Sequence, residues 1–230
     1  LSGGARWERL YSSTVAAVGS ISQVELSPQY GNGSQVVFIA GTSGGNPAIW
    51  KSTDNGQNFT PPRVTHDPIT GAIFPIDTWA VVNDNTLFIG SYDGSNGLVY
   101  HTTNSGWFYS TRGVAGSQSL NSIALSPDYE QDETILVGNT NGWVYWSNKN
   151  GVSFEPLPLD ATSPPLAGSV TIAFDPRYSS NHTVYAASNT PDKGIYRFII
   201  GTRTNWESID STLPSGGMVS QLVVSTDGTL

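Results

Sequence analysis

The chain has 230 residues, enough for one domain with a sizeable core, and only 12% of them are charged, roughly half the usual share. Its formal net charge is −8 and its ten Lys and Arg residues are scattered, which argues against a nucleic-acid partner. Cysteine is absent, the three histidines are far apart, and no apolar run is long enough to cross a membrane, so we expect no disulfide, metal, cofactor or transmembrane segment.

In chain order, one strand pattern recurs about every fifty residues. A β-branched run, a polar turn and a second β-branched run occupy 25–42, 124–140 and 173–189, with a shortened copy at 81–91 and the start of a fifth at 223–230. Third strands follow at 48–53, 97–103, 143–148 and 194–199. An aromatic residue then opens a fourth strand, at Trp7, Phe59, Tyr109, Phe154 and Trp206. Four short strands per repeat predict an all-β fold, a β-propeller of four-stranded antiparallel blades.

The repeat also predicts where the blades lie. Blade-like units are expected around 21–64, 73–114, 120–159 and 169–211, and the segments 1–11 and 218–230 are expected to belong to further or shared blades. Four to five blades are thus present. The chain is expected to be a single propeller domain or an arc of a larger propeller.

The turn between the third and fourth strands carries a motif, S-x-D-x-G-x-x-F, first seen at 52–59. A hydroxyl or carboxylate at the start of a turn accepts backbone N–H bonds, and glycine supplies the left-handed backbone that the turn needs. We interpret Asp54 as structural, since Lys149 replaces it in another copy and a catalytic acid would not tolerate that change. The motif residues are Ser52, Asp54, Gly56, Phe59, Thr102, Asn104, Gly106, Tyr109, Ser147, Gly151 and Phe154, with a partial copy at Ser2, Gly4 and Trp7. The copy before Trp206 has lost the Ser, the Asp and the Gly.

These in-phase motifs resemble the Asp-box, or BNR repeat, of sialidases, sortilin-type receptors, xyloglucan-cleaving propellers and a photosystem assembly factor. The strand pairs look similar to those of bacterial secreted and cell-surface members of this group. The resemblance implies the fold but no single function, because the group includes enzymes, receptors and scaffolds.

Two functions are consistent with this resemblance. The favoured one is a noncatalytic extracellular or cell-surface module for adhesion or structure, which binds a protein, a cell-surface glycan or copies of itself in a surface layer, sheath or filament. The alternative is a glycoside hydrolase of sialidase or xyloglucanase type. A sialidase would need an arginine cluster and an F/Y-R-I-P start motif, which this sequence lacks, and a xyloglucanase uses two propellers. We therefore assign no catalytic residue.

The long loop 61–79 is the richest in binding chemistry. Its candidates for contact with a ligand or partner are Arg63, His66, Asp67, Asp77 and Trp79. Trp79 would stack on the ligand while the charged residues form hydrogen bonds. Deleting 64–76 should then weaken association and leave the blades folded. The alternative is that Pro and Asp occur here because they favour turns.

Other aromatic residues and three sequons complete the sequence-based picture. Trp143, Tyr145 and Trp146 lie on a predicted third strand and are expected to fill space between blades. Glycosylation at surface positions would agree with an extracellular location, and the acceptor residues are Asn32, Asn58 and Asn181.

Overall fold

The computed structural model describes residues 15–210 and 213–225. The partial motif at Ser2, Gly4 and Trp7, the predicted segment 1–11, and the last part of the fifth repeat at 226–230 lie outside these residues.

Sixteen strands of the described residues form four antiparallel sheets, and in each sheet the four strands pair in chain order. Sheet 1 consists of β1 (Ser20–Leu26), β2 (Val37–Ser43), β3 (Asn46–Ser52) and β4 (Arg63–Val64). Sheet 2 consists of β5 (Thr78–Val81), β6 (Leu87–Tyr92), β7 (Gly97–Thr102) and β8 (Thr111–Val114). Sheet 3 consists of β9 (Leu120–Leu125), β10 (Ile135–Asn139), β11 (Val144–Ser147) and β12 (Glu155–Pro156). Sheet 4 consists of β13 (Val170–Phe174), β14 (Thr183–Ser188), β15 (Ile195–Ile199) and β16 (Glu207–Ser208). The predicted all-β fold of four-stranded antiparallel blades is confirmed.

Two single-turn helices replace polar turns that the sequence predicted. The helix α1 (Tyr129–Asp132) connects β9 to β10, and α2 (Tyr178–Asn181) connects β13 to β14. Each ends at a residue with left-handed backbone, Glu133 at φ 51° and His182 at φ 49°. A proline stands two residues before each helix, at the second position of a turn closed by Tyr129 N–H to the carbonyl of Ser126 at 3.1 Å or by Tyr178 N–H to that of Asp175 at 3.0 Å. The fixed φ of proline suits this turn position. None of the helices in the described ranges has the length and apolar character needed to span a bilayer.

The core lies between consecutive sheets. Separate apolar clusters join sheet 1 to sheet 2, sheet 2 to sheet 3 and sheet 3 to sheet 4. At the first of these contacts the ring of Phe38 on β2 meets the edge of Trp79 on β5, with ring centroids 6.4 Å apart. Burying apolar rings between sheets is the main source of stability in such a stack, at roughly 25 cal/mol per Å² removed from water.

The motif turn of sheet 1 is built around one buried hydroxyl. Ser52 is 1% exposed, and its Oγ accepts hydrogen bonds from the backbone N–H of Asp54 at 3.3 Å and of Gly56 at 2.8 Å. The same hydroxyl donates to Asp54 Oδ1 at 2.8 Å, and that oxygen also accepts from the N–H of Asn58 at 2.8 Å. Gly56 has a φ of 80°, which a side chain would disfavour. Hydrogen bonds from Asn58 and Ser52 hold the pKa of Asp54 below its usual value.

The turns of sheets 2 and 3 repeat this geometry. Thr102 Oγ1 accepts from the N–H of Gly106 at 3.0 Å, and Ser147 Oγ accepts from that of Gly151 at 3.2 Å. Lys149 stands where the acidic residue lies in sheet 1, and it takes part in the turn through its backbone N–H, which donates to Ser147 Oγ at 3.2 Å. The hydroxyl and the glycine therefore recur in all three turns, whereas the carboxylate does not.

Each turn also contacts its surroundings in a repeated way. The N–H of the residue before the glycine donates to the connection between the first and second strands of its own sheet, as in Ser105 to the carbonyl of Asn85 at 2.7 Å. The glycine of one turn faces the preceding sheet. A Cβ at Gly106 would lie 3.4 Å from Ile49, and one at Gly151 would lie 3.2 Å from Phe88. The turn thus ties its own sheet together and packs against its neighbour.

The motif aromatics differ in burial and in position from the prediction. Tyr109 is buried, at 7% exposed, but Phe59 and Phe154 are half-buried. Phe59 does not open the fourth strand, because β4 begins four residues later at Arg63. Two prolines, at 61 and 62, stand between them, and proline cannot donate a hydrogen bond to the sheet.

Removing the turn hydroxyl should destabilise the fold. We expect Ser52→Ala to lower the free energy of unfolding by about 2 kcal/mol, because the buried N–H of Gly56 loses its acceptor. Ser52→Thr should retain most of the stability, since Thr102 fills the same position in sheet 2. Denaturant unfolding followed by tryptophan fluorescence measures both variants. Equal unfolding midpoints for the wild type and Ser52→Ala would contradict this role of the hydroxyl.

Candidate functional site

The loop between β4 and β5 packs into the fold more than its sequence suggests. Phe74 is 5% exposed and stacks on Tyr100 of β7, with ring centroids 3.7 Å apart and an interplanar angle of 9°. Its ring also meets Tyr109 edge-on at 5.0 Å. Thr65 is fully buried and donates to the carbonyl of Phe74. Deleting 64–76 would remove the buried Phe74, which argues against the expectation that the blades stay folded without this segment.

Asp67 is a structural residue of this loop. It is 6% exposed, and its Oδ1 accepts from the N–H groups of Ile69 at 2.9 Å and Thr70 at 2.8 Å. Its Oδ2 accepts from the hydroxyl of Tyr100 and from Nη1 of Arg112, both at 2.9 Å. Burial alone would raise the pKa of Asp67, but these hydrogen bonds together hold it well below its usual range. Both oxygens are occupied, so Asp67 fastens the loop to sheet 2 and has little capacity left for a ligand.

Two other residues that were predicted to contact a ligand are also buried or half-buried. Trp79 is 7% exposed in the core between sheets 1 and 2, so the stacking contact predicted for it is not available. The reason is that every residue of β5 is buried, so this strand has no solvent face for Trp79 to occupy. Asp77 is half-buried and accepts from the hydroxyl of Ser119 at 3.0 Å. Burial raises the pKa of Asp77, and the Ser119 bond partly opposes this.

Arg63 and His66 do reach a surface, beside two aromatic residues that the sequence analysis did not select. Trp107 is 63% exposed and Phe108 is 76% exposed, and both lie on the motif turn of sheet 2. The guanidinium of Arg63 lies over the Trp107 ring, 4.9 Å from its centroid, and Nη1 donates to the carbonyl of Ser105 at 2.7 Å. His66 is exposed, and its Nδ1 lies 3.0 Å from the carbonyl of Val64.

A shallow pocket of 310 Å³ between the loop and the motif turn is lined by His66, Trp107 and Phe108, together with Pro68. Arg63 does not line the pocket but lies over the Trp107 ring. We call the surface formed by Arg63, His66, Pro68, Trp107 and Phe108 the aromatic patch. It combines two exposed rings, one cation and an imidazole, a mixture that suits contact with a protein surface. The sequence repeat indicates this patch, because the two turn positions held by Trp107 and Phe108 carry smaller or polar residues in the other copies.

A second cavity lies beside the first strands of three sheets. It has a volume of 440 Å³ and is lined by Glu25 of β1, Val81 of β5 and Leu125 of β9, with Glu130 at its rim. Burial raises the pKa of Glu25 to about 7, partly opposed by a hydrogen bond from the backbone of Val81. No Lys or Arg is among the residues that line this cavity. Glu25 therefore carries a partly desolvated carboxyl group that has no cationic side chain among the residues lining its cavity.

The three sequons lie in different environments. Asn32 is exposed, and no hydrogen bond between described side chains uses its amide. Asn58 donates its side-chain amide to Asp54 Oδ2 at 2.7 Å, and Asn181 donates to Asp175 Oδ1 at 2.9 Å. Asp175 is itself buried, at 3% exposed. Glycosylation stays a prediction for all three, and Asn32 is the most accessible acceptor.

Within the described ranges, no group of three or more His, Asp or Glu side chains is arranged to hold a metal ion.

The four sheets and the cores between them define a β-propeller fold. No protein-family model matches the sequence, and no curated protein matches it.

Solved propellers resemble the structure. A GH74 xyloglucanase from Xanthomonas campestris matches with a TM-score of 0.63 and 17% identity, over 88% of this chain and 32% of that one. The Dos1 propeller matches with a TM-score of 0.60 and 14% identity, over 91% and 50%. YCF48 bound to D1 peptide matches with a TM-score of 0.52 and 15% identity, over 84% and 56%. At these identities the likeness shows the fold alone, and this chain spans 32% to 56% of the length of those chains.

The raised pKa of Glu25 makes a prediction about stability and pH. The folded-state pKa of about 7 lies above the usual glutamate value of 4.5, so the folded protein favours the protonated form. The cost of the buried charge is absent below about pH 4.5, grows as the pH rises and is complete above pH 7. Glu25→Gln should therefore increase the free energy of unfolding at pH 8, by an amount on the order of 2 kcal/mol, and change it little at pH 4.

Denaturant unfolding at both pH values measures this difference. Glu130→Gln, at an exposed position of the same cavity, is the matched control and should change stability much less at pH 8. A Glu25→Gln variant that is no more stable than the wild type at pH 8 would show that the carboxylate is not desolvated.

Proposed function

We propose that this chain is a noncatalytic β-propeller at the outer surface of a bacterial cell. There it recognises a protein, which is either a different protein or a further copy of this chain. The observation that carries the proposal is the adjacent exposed pair Trp107 and Phe108 on a rigid turn. A large exposed ring costs solubility and marks an interaction site when it lies beside others.

The repeat supports a role for this pair beyond the fold. Five and six residues after the turn hydroxyl, sheet 2 has Trp107 and Phe108, sheet 1 has Gln57 and Asn58, and sheet 3 has Val152 and Ser153. All three turns form with the same hydrogen bonds at their hydroxyl and glycine. The turn geometry therefore does not require aromatic residues here, and the pair is available to a partner.

The neighbourhood of the pair also supports a protein partner. Trp and Arg are enriched among the residues that contribute most to protein interfaces. Arg63 is already held over Trp107, with two hydrogen bonds to the turn backbone, so little side-chain freedom would be lost on binding. Ile69 and Ile73 of the adjoining loop are 73% and 45% exposed and add apolar area on the same loop.

The structural neighbours agree with recognition but leave an alternative. YCF48 is a propeller solved with a bound peptide, which shows that the fold can present a peptide-binding surface. The xyloglucanase neighbour keeps glycoside hydrolysis as the second candidate. The acidic residues of the long loop favour recognition, since Asp67 is fully hydrogen-bonded and Asp77 is held by Ser119. A cell-surface location rests on the resemblance of the repeats to secreted and surface propellers.

Substituting the pair should abolish partner binding without unfolding the chain. The double variant Trp107→Gln with Phe108→Asn takes its residues from the turn of sheet 1, so its melting temperature should stay close to that of the wild type. A photoreactive amino acid at position 107 should cross-link one surface protein, or a second copy of the chain, on cells that produce the protein. The same probe at position 152, on the equivalent turn of sheet 3, is the matched control and should form no cross-link.

A competition experiment tests whether the aromatic patch makes the contact. Excess unlabelled wild type should suppress the cross-link, and the double variant should fail to do so. A double variant that competes as well as the wild type would exclude the aromatic patch as the contact. Release of sugar from xyloglucan or sialosides by the purified chain, abolished in a folded Asp77→Asn variant, would replace recognition with hydrolysis.

A further inference from the structure

A groove between sheets 3 and 4 is the strongest feature that the proposed recognition surface does not use. It consists of two adjoining cavities of 820 Å³ and 370 Å³, which share Trp146 and the residues 200–202. We call it the Trp146 groove. Its larger cavity lies within the range of roughly 300 to 1,000 Å³ that is typical of small-molecule sites.

The repeat explains why the groove exists. Trp146 directly precedes the turn hydroxyl of its sheet, as Lys51 and His101 do in sheets 1 and 2. Lys51 and His101 are buried, at 8% and 7% exposed, whereas Trp146 is half-buried. His101 stacks on Phe88 at 4.5 Å, and the turn glycine of sheet 3 packs against that same ring.

The corresponding turn of sheet 4 has lost the motif. Counting back from Trp206, Ile199 stands at the hydroxyl position and Arg203 at the glycine position. The turn is closed instead by the N–H of Arg203, which donates to the carbonyl of Ile199 at 3.0 Å. Arg203 also pairs with Glu207 at 3.1 Å. The motif position therefore holds no glycine, and the glycine that the turn does contain, Gly201, would have no atom within 4 Å of an added Cβ. This turn does not pack against sheet 3 as the motif turns do, and the ring of Trp146 is left between the two cavities.

The polar groups around the larger cavity are free to bind. Asp128, Asn148, Ser179 and His182 are all exposed, and no hydrogen bond among the described residues uses their side chains. Asp128 offers an acceptor, Asn148 and Ser179 offer both donors and acceptors, and His182 offers at least one donor or acceptor. Tyr178 is buried beside them, with its ring edge-on to that of His182 at 5.8 Å.

The charged side chains that line the larger cavity indicate which class of ligand it binds. The larger cavity is lined by two carboxylates, Asp128 and Asp132, and by no Lys or Arg. An anionic ligand would be repelled, and an apolar one would leave the polar groups unpaired. A cationic group would use the carboxylates but would leave the donors of Asn148 and Ser179 unused. A sugar presents an apolar face to an aromatic ring, together with hydroxyls that both donate and accept.

We propose that the Trp146 groove binds a neutral oligosaccharide, with the indole of Trp146 against one sugar ring and Asp128, Asn148 and His182 hydrogen-bonded to its hydroxyls. This site is separate from the aromatic patch and goes beyond the proposed recognition of a protein. Ligands enter beside the turn 200–202, where the lost motif leaves the groove open.

Calorimetric titration with defined ligands tests the proposal. The neutral probes are cellohexaose, mannohexaose, chitohexaose and a xyloglucan heptasaccharide, and the charged probes are sialyllactose and hexalysine. At least one neutral probe should bind with one site per chain, and sialyllactose and hexalysine should not. Trp146→Leu should weaken that binding at least tenfold, because the planar contact is lost while an apolar side chain remains against the core.

Variants at exposed positions test the proposal independently, in case Trp146→Leu does not fold. Asn148→Ala and Asp128→Ala alter exposed side chains and should each weaken binding several-fold with an unchanged melting temperature. The double variant Trp107→Gln with Phe108→Asn is the matched control and should bind the sugar as the wild type does. The proposal is overturned if no neutral probe binds, if hexalysine binds in their place, or if binding is unchanged in folded Trp146, Asn148 and Asp128 variants.

Discussion

The buried hydroxyl at the end of each third strand is the interaction on which the rest of the described structure depends. Ser52, Thr102 and Ser147 are at most 2% exposed, and each accepts the N–H of a glycine four residues later. A buried N–H without an acceptor costs about 1 to 3 kcal/mol, so the hydroxyl is what allows the chain to turn tightly inside the stack. The glycine then faces the preceding sheet, so that one local bond also fixes the contact between sheets.

This division of labour separates structural positions from variable ones. The hydroxyl and the glycine recur in three turns, while the acceptor position holds Asp54, Asn104 or Lys149. The positions after the glycine are freer still, and sheet 2 uses them to expose Trp107 and Phe108. Sheet 4 lacks the motif, and a groove appears at that contact. Both proposed surfaces arise where one repeat departs from the others.

The strand order and the turns could be predicted from the sequence because each repeat carries its own local signals. β-branched runs define the strands, and the motif defines the turn between the third and fourth strands. The helical turns α1 and α2 escaped prediction, since a four-residue segment is too short to show helical periodicity.

The candidate site was less predictable, because burial depends on which sheet a residue faces. Trp79 was expected at the surface. All four residues of β5 are buried, however, so neither face of this strand is open to solvent. Asp67 was expected to bind a ligand, but Tyr100 and Arg112, which occupy its second oxygen, lie 33 and 45 residues away in sequence. Trp107 and Phe108 were not selected, because the motif was defined by the positions that recur from copy to copy, and these two positions vary between copies.

Amide hydrogen exchange at the turn glycines tests this account most directly. The amides of Gly56, Gly106 and Gly151 should exchange only through large-scale opening, with protection close to that of the central strands, while the exposed Gly94 exchanges rapidly. In Thr102→Ala the protection of Gly106 should fall while that of Gly56 is retained. Rapid exchange of all three turn glycines in the wild type would contradict the central role of the buried hydroxyls.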